Sequence, residues 1–330
     1  MTRVAVLGGG SWGTALAQAM CQGDHEVVLW ARDRGLIDAI NAGHENPRYL
    51  PGVPLDPGIR ATSELAESAR SEMLLLVVPA QHLRALAERL AAVLPGARPL
   101  VICSKGIERG SGALMSEVLA EALPGFPLAV LSGPTFAAEV VRGLPCAMTL
   151  ACGEESTGVV LLSALGSRHF RPYLSDDVIG VEVGGAVKNV IAIACGIVMG
   201  RGLGENARAA LITRGLAEVV RLGRAKGGRL ETGMGLSGLG DLTLTCCGPQ
   251  SRNYSLGVAL GEGRALAEVL AERHTVAEGV FTAEAVSALA ARLGVEMPIC
   301  DAVHAVLHRG ADLGEAIAGL LARPFRSEHA

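Results

Sequence analysis

The chain has 330 residues, of which 50% are hydrophobic and 3% aromatic, and its formal net charge is −4 at pH 7. This length exceeds what one hydrophobic core usually supports and suits two domains. The mildly acidic charge, with no basic block, disfavours nucleic acid as a partner, and no apolar run reaches the ~20 residues that span a bilayer, which disfavours membrane insertion.

The first half of the chain alternates short apolar runs with helical patterns. It starts directly with an apolar run and has no signal-peptide layout, so we expect a cytoplasmic protein. Strands are predicted at residues 4–7, 27–30, 73–78, 100–103, 128–131 and 147–152, and helices at 13–22, 81–94 and 115–123. Strand, helix and strand in succession predict a parallel sheet with right-handed crossovers. We therefore expect an α/β fold with an N-terminal Rossmann-type parallel-sheet domain over residues 1–178.

Residues 47–57 are rich in Pro and Gly, and we expect a loop there, near the mouth of the site. After about residue 178 the pattern becomes helical. Helices are predicted at 178–199, 207–225, 265–270, 282–293 and 300–307, with glycine breaks between them. These predict an all-helical C-terminal domain over residues 179–330, with the active site in the cleft between the domains.

A glycine-rich motif, Gly-Gly-Gly-Ser-Trp-Gly at residues 8–13, directly follows the first predicted strand and opens a helix. Gly8, Gly10 and Gly13 occupy the three positions of a GxGxxG pattern. Gly8 permits the tight turn, Gly10 lets the backbone approach a pyrophosphate, and Gly13 lets the helix pack closely on the strand. Free N–H groups at the helix start then face the phosphates. The motif predicts a dinucleotide-binding site.

The second predicted strand is followed by Arg32 and Asp33, about 20 residues after the glycine loop. An acidic residue in this place binds the ribose 2′-hydroxyl of NAD, whereas an arginine accommodates the 2′-phosphate of NADP. Arg32 favours NADPH, but Asp33 follows at once, so both coenzymes stay open. A solvated strand end is the alternative explanation of Arg32.

Lysine is rare in this chain: Lys105, Lys188 and Lys226 stand against 26 arginines (29 basic residues less these three). Arginine stays charged in proteins, whereas lysine can approach neutrality and exchange a proton, so the remaining lysines are candidates for chemistry. Lys105 follows a predicted strand, where open α/β sheets bind ligands. Lys188 lies in an otherwise apolar helix. The alternatives for Lys188 are snorkelling to the surface or a buried ion pair with Glu182, and Lys226 is expected at a solvated helix end.

Three further segments collect polar groups among glycines. Ser132-Gly133-Pro134-Thr135 follows a predicted strand, and residues 235–245 place Asp241 in what we expect to be a flexible apolar loop. Ser251-Arg252-Asn253 suits a phosphate, because arginine binds it as a fork and the two neighbours add neutral donors. An ordinary helix cap is the alternative for that trio.

Eight cysteines are present, but the sequence has no CxxC pair and no His cluster at zinc-ligand spacing near them. We therefore expect no metal site and reduced thiols, with a strained disulfide between Cys246 and Cys247 as the open alternative.

Taken in order, these motifs resemble those of the bacterial NAD(P)-dependent glycerol-3-phosphate dehydrogenases over nearly the whole chain. The matching segments are 8–13, 104–106, 132–135, 185–189, 238–242 and 251–253. The resemblance implies interconversion of dihydroxyacetone phosphate and sn-glycerol 3-phosphate with NADP or NAD, feeding phospholipid synthesis. Val- and Ala-rich helices in the second half favour a homodimer.

The resemblance also implies roles for individual residues. Lys188 is the general acid/base, and Lys105 and Asp241 line the reacting centre. Further substrate contacts are implied for Gly133, Thr135, Asn189, Thr245, Ser251, Arg252 and Asn253. Cofactor contacts are implied for Gly8, Gly10, Ser11, Trp12, Gly13, Arg32, Tyr49, Lys105, Ala137, Arg252, Val276 and Glu278.

Two other functions stay open at this point. One is another two-domain NAD(P) dehydrogenase acting on a hydroxyacid or a sugar phosphate, and the other is an NAD(P)-binding sensor without catalysis. The joint presence of Lys105, Lys188 and Asp241 disfavours the sensor.

Overall fold

An eight-stranded sheet lies at the centre of the N-terminal part of the protein, in a computed structural model that describes residues 2–272, 277–325 and 327. The strands are β1 (Arg3–Leu7), β2 (Glu26–Trp30), β3 (Glu45–Asn46), β4 (Leu50–Pro54), β5 (Ile59–Thr62), β6 (Met73–Leu76), β7 (Leu100–Ile102), β8 (Leu128–Ser132), β9 (Cys146–Cys152) and β10 (Phe170–Ser175). The order in the sheet is β10-β9-β8-β7-β6-β1-β2-β5, while β3 and β4 form a separate antiparallel ladder. Six strands, β5-β2-β1-β6-β7-β8, have the parallel Rossmann arrangement.

Helices cover both faces of this sheet and build the C-terminal part. They are α1 (Ser11–Cys21), α2 (Arg34–Gly43), α3 (Leu65–Ser68), α4 (Leu83–Ala91), α5 (Met115–Ala122), α6 (Ala137–Val140), α7 (Glu155–Leu165), α8 (Val178–Gly200), α9 (Gly204–Lys226), α10 (Leu230–Gly233), α11 (Asp241–Cys247), α12 (Arg252–Gly261), α13 (Leu266–Ala271), α14 (Glu278–Leu293), α15 (Pro298–His308) and α16 (Leu313–Leu321). The predicted fold class is confirmed. The division into residues 1–178 and 179–330 stays a prediction.

All six predicted strands are present, each within two residues of its predicted ends. Three expectations were wrong. Residues 47–57, expected as a loop, include strand β4 of the β3–β4 ladder. Residues 235–245, expected as a flexible loop, form a π-helical turn at Leu236–Gly240 and then α11. The sheet is also not wholly parallel, because β9 runs antiparallel to β8. The direction of a strand relative to its neighbour cannot be read from the local sequence pattern.

Helix α8 is the core of the C-terminal part. All of its residues from Gly180 to Val198 are buried, and the side chain of Asp177 caps its first turn by accepting a hydrogen bond from the Gly180 N–H. By length and composition α8 would suffice to cross a membrane, but 89% of its most apolar window is buried inside the protein. Its apolar character is that of a helix surrounded by other helices.

Close packing of α8 on α12 depends on glycines from both helices. A Cβ atom at Gly196 would lie 2.1 Å from the Tyr254 carbonyl oxygen, and one at Gly257 would lie 2.1 Å from the Ile193 carbonyl oxygen. Any side chain here would push the two helices apart. The contact therefore brings the start of α12 beside the middle of α8, where the polar residues of the candidate site lie.

Candidate active site

The glycine loop between β1 and α1 has the geometry of a dinucleotide-binding turn. Gly8 has φ +138°, and a Cβ there would lie 2.7 Å from the Val77 carbonyl oxygen. A Cβ at Gly13 would lie 1.8 Å from the Gly8 carbonyl oxygen, so only glycine lets α1 pack on the turn. A Cβ at Gly10 would meet no atom within 4 Å. The space in front of Gly10 is open, and the loop fits a pyrophosphate at the start of α1.

Other predicted cofactor residues surround this loop. Ser11 and Trp12 form the first turn of α1, and the buried indole N–H of Trp12 has no hydrogen-bond partner among the described residues. Ala137 begins α6, which packs on α1. Tyr49 lies between β3 and β4. Val276 lies outside the described residues.

An asparagine that the sequence did not single out connects the β3–β4 ladder to the glycine loop. Asn46 is fully buried, and its side-chain amide donates to the Gly9 carbonyl at 3.1 Å and to the Thr14 hydroxyl at 2.7 Å. Its side-chain oxygen accepts from the Tyr49 backbone N–H at 3.0 Å. One side chain therefore places the segment that carries Tyr49 beside the dinucleotide turn.

The end of β2 presents one carboxylate and exposed guanidinium groups. Arg32 is exposed just after the strand. Asp33 caps α2 by accepting from the Leu36 N–H at 3.1 Å, and its second oxygen accepts from Arg48 at 2.9 Å. Both oxygens of Asp33 thus have partners within the protein.

Two lysines from different parts of the chain meet on one carboxylate. Asp241, the first residue of α11, is 1% exposed. One of its oxygens accepts from the Lys105 ammonium at 2.7 Å, and the other accepts from the Lys188 ammonium. Lys188 also donates to the Thr245 hydroxyl at 2.9 Å. The structure therefore joins four of the predicted substrate or catalytic residues into one hydrogen-bonded network.

Burial makes the Lys188 ammonium a stronger acid than usual. Loss of hydration lowers the pKa of Lys188 to about 8, against the attraction of the Asp241 carboxylate, which favours the charged form. The positive charge of Lys105 lowers the pKa further. A lysine with this pKa can give up and take back a proton near neutral pH, which is what a general acid/base requires.

The second contact of Lys105 ties it to the loop after β8. Its ammonium donates to the Gly133 carbonyl at 3.1 Å, and the Thr135 hydroxyl donates to the same carbonyl at 3.3 Å. A Cβ at Gly133 would lie 2.8 Å from the Met148 Cα, so the loop is seated against β9. The neighbouring Ser132 hydroxyl is buried without a partner among the described residues.

A pair of amides connects α8, α12 and α14. The Asn253 amide donates to the Asn189 side-chain oxygen at 2.9 Å, and the Asn253 oxygen accepts from the Gly279 N–H at 3.0 Å. Ser251 is the N-cap of α12, its hydroxyl accepting from the Tyr254 N–H at 3.2 Å. The helix-cap alternative for the trio is therefore correct for Ser251, and a contact with substrate would be an additional role.

Arg252 and Glu278 lie at the starts of α12 and α14, and Arg252 is exposed. Burial raises the pKa of Glu278 to about 7, opposed by the charge of Arg252 and by the Ala80 N–H. One oxygen of Glu278 is buried without a partner among the described residues.

Near the site, the structure excludes one alternative for Lys188 and corrects the expectation for Lys226. Glu182 does not pair with Lys188; it accepts from the backbone N–H of Ser116 at 2.8 Å and from its hydroxyl. Lys226 ends α9 as expected, but its ammonium contacts Glu117 at 2.6 Å and is mostly buried rather than solvated. All eight cysteines lie in the described ranges as free thiols, so Cys246 and Cys247 form no disulfide in this structure.

Comparison with known proteins finds the same family over both parts of the chain. Residues 3–158 match the N-terminal model, and residues 177–318 the C-terminal model, of NAD-dependent glycerol-3-phosphate dehydrogenase. The chain is 60% identical to the glycerol-3-phosphate dehydrogenase [NAD(P)+] of Rhodospirillum rubrum, covering 98% of this chain and 93% of that one. It is 55% identical to that of Caulobacter vibrioides, covering 99% and 98%.

Solved structures agree. The crystal structure of glycerol-3-phosphate dehydrogenase from Coxiella burnetii superposes with a TM-score of 0.94 at 41% identity, covering 98% of this chain and 99% of that one. A D-mandelate dehydrogenase, at 16% identity and a TM-score of 0.64, shares the fold alone, with 93% of this chain and 98% of that one covered.

Proposed function

The chain belongs to the NAD-dependent glycerol-3-phosphate dehydrogenase family, and within that family we propose that Lys188 is the acid and base of the reaction. The protein is an NAD(P)-dependent oxidoreductase that interconverts dihydroxyacetone phosphate and sn-glycerol 3-phosphate. The observation that carries the proposal is the pairing of Lys105 and Lys188 on the single buried carboxylate of Asp241. This activity excludes the two other functions that the sequence left open, a dehydrogenase for another substrate and a sensor without catalysis.

In the reducing direction, negative charge develops on the C2 oxygen of dihydroxyacetone phosphate. The bound reduced nicotinamide supplies the hydride. Lys188 donates a proton to that oxygen, a role worth about 10²–10⁴-fold in rate. Lys105 stabilises the developing charge, and Asp241 holds both ammonium groups in place before the reaction starts.

The direction of the reaction sets the required state of Lys188. Reduction needs the ammonium, which predominates below its pKa of about 8, and oxidation needs the neutral amine, which predominates above it. The reduction rate should therefore fall, and the oxidation rate rise, as the pH passes through about 8.

For the phosphate of the substrate we propose Arg252 as the fork-shaped donor. The amides of Asn189 and Asn253 and the hydroxyls of Ser251, Thr135 and Thr245 are proposed as neutral contacts around the substrate, together with Gly133. The mutual hydrogen bond of the two amides supports this role, because it orients both side chains before substrate arrives.

For the coenzyme we propose that the glycine loop and the start of α1 bind the pyrophosphate. The open space at Gly10 supports this placement. Arg32, Tyr49, Lys105, Ala137, Arg252 and Glu278 are proposed as further contacts, and Val276 stays a prediction from the family resemblance.

Replacing Lys188 with Ala tests the mechanism. Coenzyme oxidation with dihydroxyacetone phosphate should fall at least ~10²-fold, while coenzyme affinity in a fluorescence titration stays nearly unchanged. Lys226→Ala is the matched control, since Lys226 is the lysine held at a helix end by Glu117, and it should stay near wild type. Near-normal turnover in Lys188→Ala would refute the assignment.

We further propose a cytoplasmic homodimer that supplies glycerol 3-phosphate for phospholipid synthesis. The free thiols suit a reducing compartment. No residue described in the apolar helix α16 is buried, and Leu321 is 81% exposed, which suits a covered face. Sedimentation equilibrium tests the dimer, and a monomer in that experiment would contradict it. Cell fractionation tests the location. Lipid labelling after depletion of the protein tests its role in phospholipid synthesis.

A further inference from the structure

We propose that Arg48 is a coenzyme-selecting residue, which pairs with the Asp33 carboxylate and so makes the site favour NADPH over NADH. The inference rests on the proposed use of the glycine loop as the dinucleotide site. It concerns the ribose end of the coenzyme, where the sequence left NAD and NADP open.

The position of Asp33 is that of a residue that recognises the ribose. Strand β2 pairs with β1 so that Trp30 lies opposite Leu7, and the Gly8 N–H donates to the Trp30 carbonyl at 3.0 Å. A Cβ at Gly9 would lie 2.8 Å from the Ala31 Cβ, which places the end of β2 against the glycine loop. A free carboxylate at this place accepts a hydrogen bond from a 2′-hydroxyl and repels a 2′-phosphate.

In this chain the Asp33 carboxylate is not free. One oxygen accepts from the Leu36 N–H and the other from Arg48, at 3.1 and 2.9 Å. A 2′-hydroxyl would have to compete with one of these donors. The guanidinium of Arg48 also offsets the negative charge that would otherwise repel a 2′-phosphate.

Arg48 is anchored near the proposed coenzyme site rather than placed by chance on the surface. The buried Asn46 ties the β3–β4 ladder to Gly9 and to the backbone of Tyr49. The guanidinium carbon of Arg48 lies 5.4 Å from the centroid of the Tyr49 ring. The anchor is therefore buried while the guanidinium itself is half exposed, with 51% of its side-chain surface accessible.

The local charge favours an anion. Arg32 and Arg34 flank Asp33 and are exposed, and neither forms an ion pair with another described residue. Arg32, Arg34 and Arg48 thus bring three positive charges to the neighbourhood of Asp33, and of these three arginines Arg48 is the one in contact with its carboxylate. Arg48 contacts Asp33 through one guanidinium nitrogen, and the pair is half exposed on both sides. The other N–H groups of Arg48 can therefore donate to a 2′-phosphate while the pair with Asp33 persists. The proposed site then offers two arginines, Arg32 and Arg48, to that phosphate.

The test measures kcat/KM for NADPH and for NADH with dihydroxyacetone phosphate in the full-length enzyme. Wild type should favour NADPH. Arg48→Ala should lower the NADPH-to-NADH ratio at least ~10-fold, through a higher KM for NADPH and, because Asp33 then has an oxygen free for the 2′-hydroxyl, a lower KM for NADH. Asp33→Asn should keep or raise the ratio. Arg60→Ala is the matched control, since Arg60 has the same exposed fraction and also pairs with an acid, Glu67, but lies within β5, and it should leave the ratio unchanged.

A binding measurement separates this inference from catalysis. Calorimetry with adenosine 2′,5′-bisphosphate and with 5′-AMP should show that Arg48→Ala weakens the binding of the first at least ~10-fold and does not weaken the binding of the second. An unchanged ratio and unchanged bisphosphate affinity in Arg48→Ala, or a wild type that favours NADH, would overturn the inference. Failure of the proposed function looks different, since wild type would then oxidise neither coenzyme with dihydroxyacetone phosphate.

Discussion

Neutralising the Asp241 carboxylate tests directly whether it controls the two lysines of the site. Asp241→Asn keeps the size of the side chain but leaves one acceptor oxygen where the carboxylate has two. Lys105 and Lys188 each use one of those oxygens. At least one ammonium therefore loses its partner, and the two positive charges lose the negative charge between them.

The magnitude follows from the forces on Lys188. Burial already lowers its pKa to about 8, and the charge of Asp241 opposes that lowering, so the neutral amide should lower the pKa further. A charge-assisted hydrogen bond contributes about 1.5–3 kcal/mol, and one pH unit corresponds to about 1.4 kcal/mol. We expect a fall of about 1–2 pH units, and a loss of about 10²-fold in kcat at neutral pH from the misplaced ammonium.

The assay is the pH dependence of kcat/KM for coenzyme oxidation with dihydroxyacetone phosphate. Reduction needs the ammonium of Lys188, so its rate falls as the pH rises through the pKa. In wild type this decline should lie near pH 8, and in Asp241→Asn about 1–2 units lower. Asp24→Asn is the control, because Asp24 is exposed and lies just before β2, at the amino-terminal end of the strand and away from the site. A decline that stays near pH 8 in Asp241→Asn would show that this carboxylate does not govern Lys188.

Three further predictions concern the surroundings of the site. Burial raises the pKa of Glu182 from 4.5 to about 7, so the free energy of unfolding should fall by about 3 kcal/mol as the pH rises through this interval. Urea unfolding of Glu182→Gln should lack that fall, and parallel pH profiles for the variant and wild type would contradict this. Gly257→Ala would place a Cβ 2.1 Å from the Ile193 carbonyl oxygen. It should lower the free energy of unfolding by about 1–3 kcal/mol in thermal unfolding and raise KM for the phosphorylated substrate. A normal KM would contradict the role of the spacing between α8 and α12. Thr245→Val removes an acceptor from Lys188 and should lower kcat several-fold without changing coenzyme affinity, whereas Thr245→Ser should recover most of it.

Much of the fold was visible in the sequence because the signals are local. The six predicted strands are four- to six-residue apolar runs, and each lies where it was expected. The strands that were missed have weak local signals. Strand β5 is four residues long and contains Arg60, and the edge strand β10 contains Pro172, which cannot donate to a ladder. Strand β9 was found, but its antiparallel direction depends on the path of the chain between strands.

The sequence by itself determined the class of coenzyme and singled out Lys188 as the candidate acid and base. The glycine loop is a local device of six residues, and Lys188 stood out because lysine is so rare and its helix so apolar. Only the tertiary structure decided what holds Lys188. Its partner Asp241 is 53 residues away, and Lys105 is 136 residues from the same carboxylate. The pairing of Arg48 with Asp33 likewise joins a turn to a strand end. The physical reason is that periodicity and propensity record what each residue does to its own segment, whereas the energy of a buried charge depends on which distant group folding places beside it.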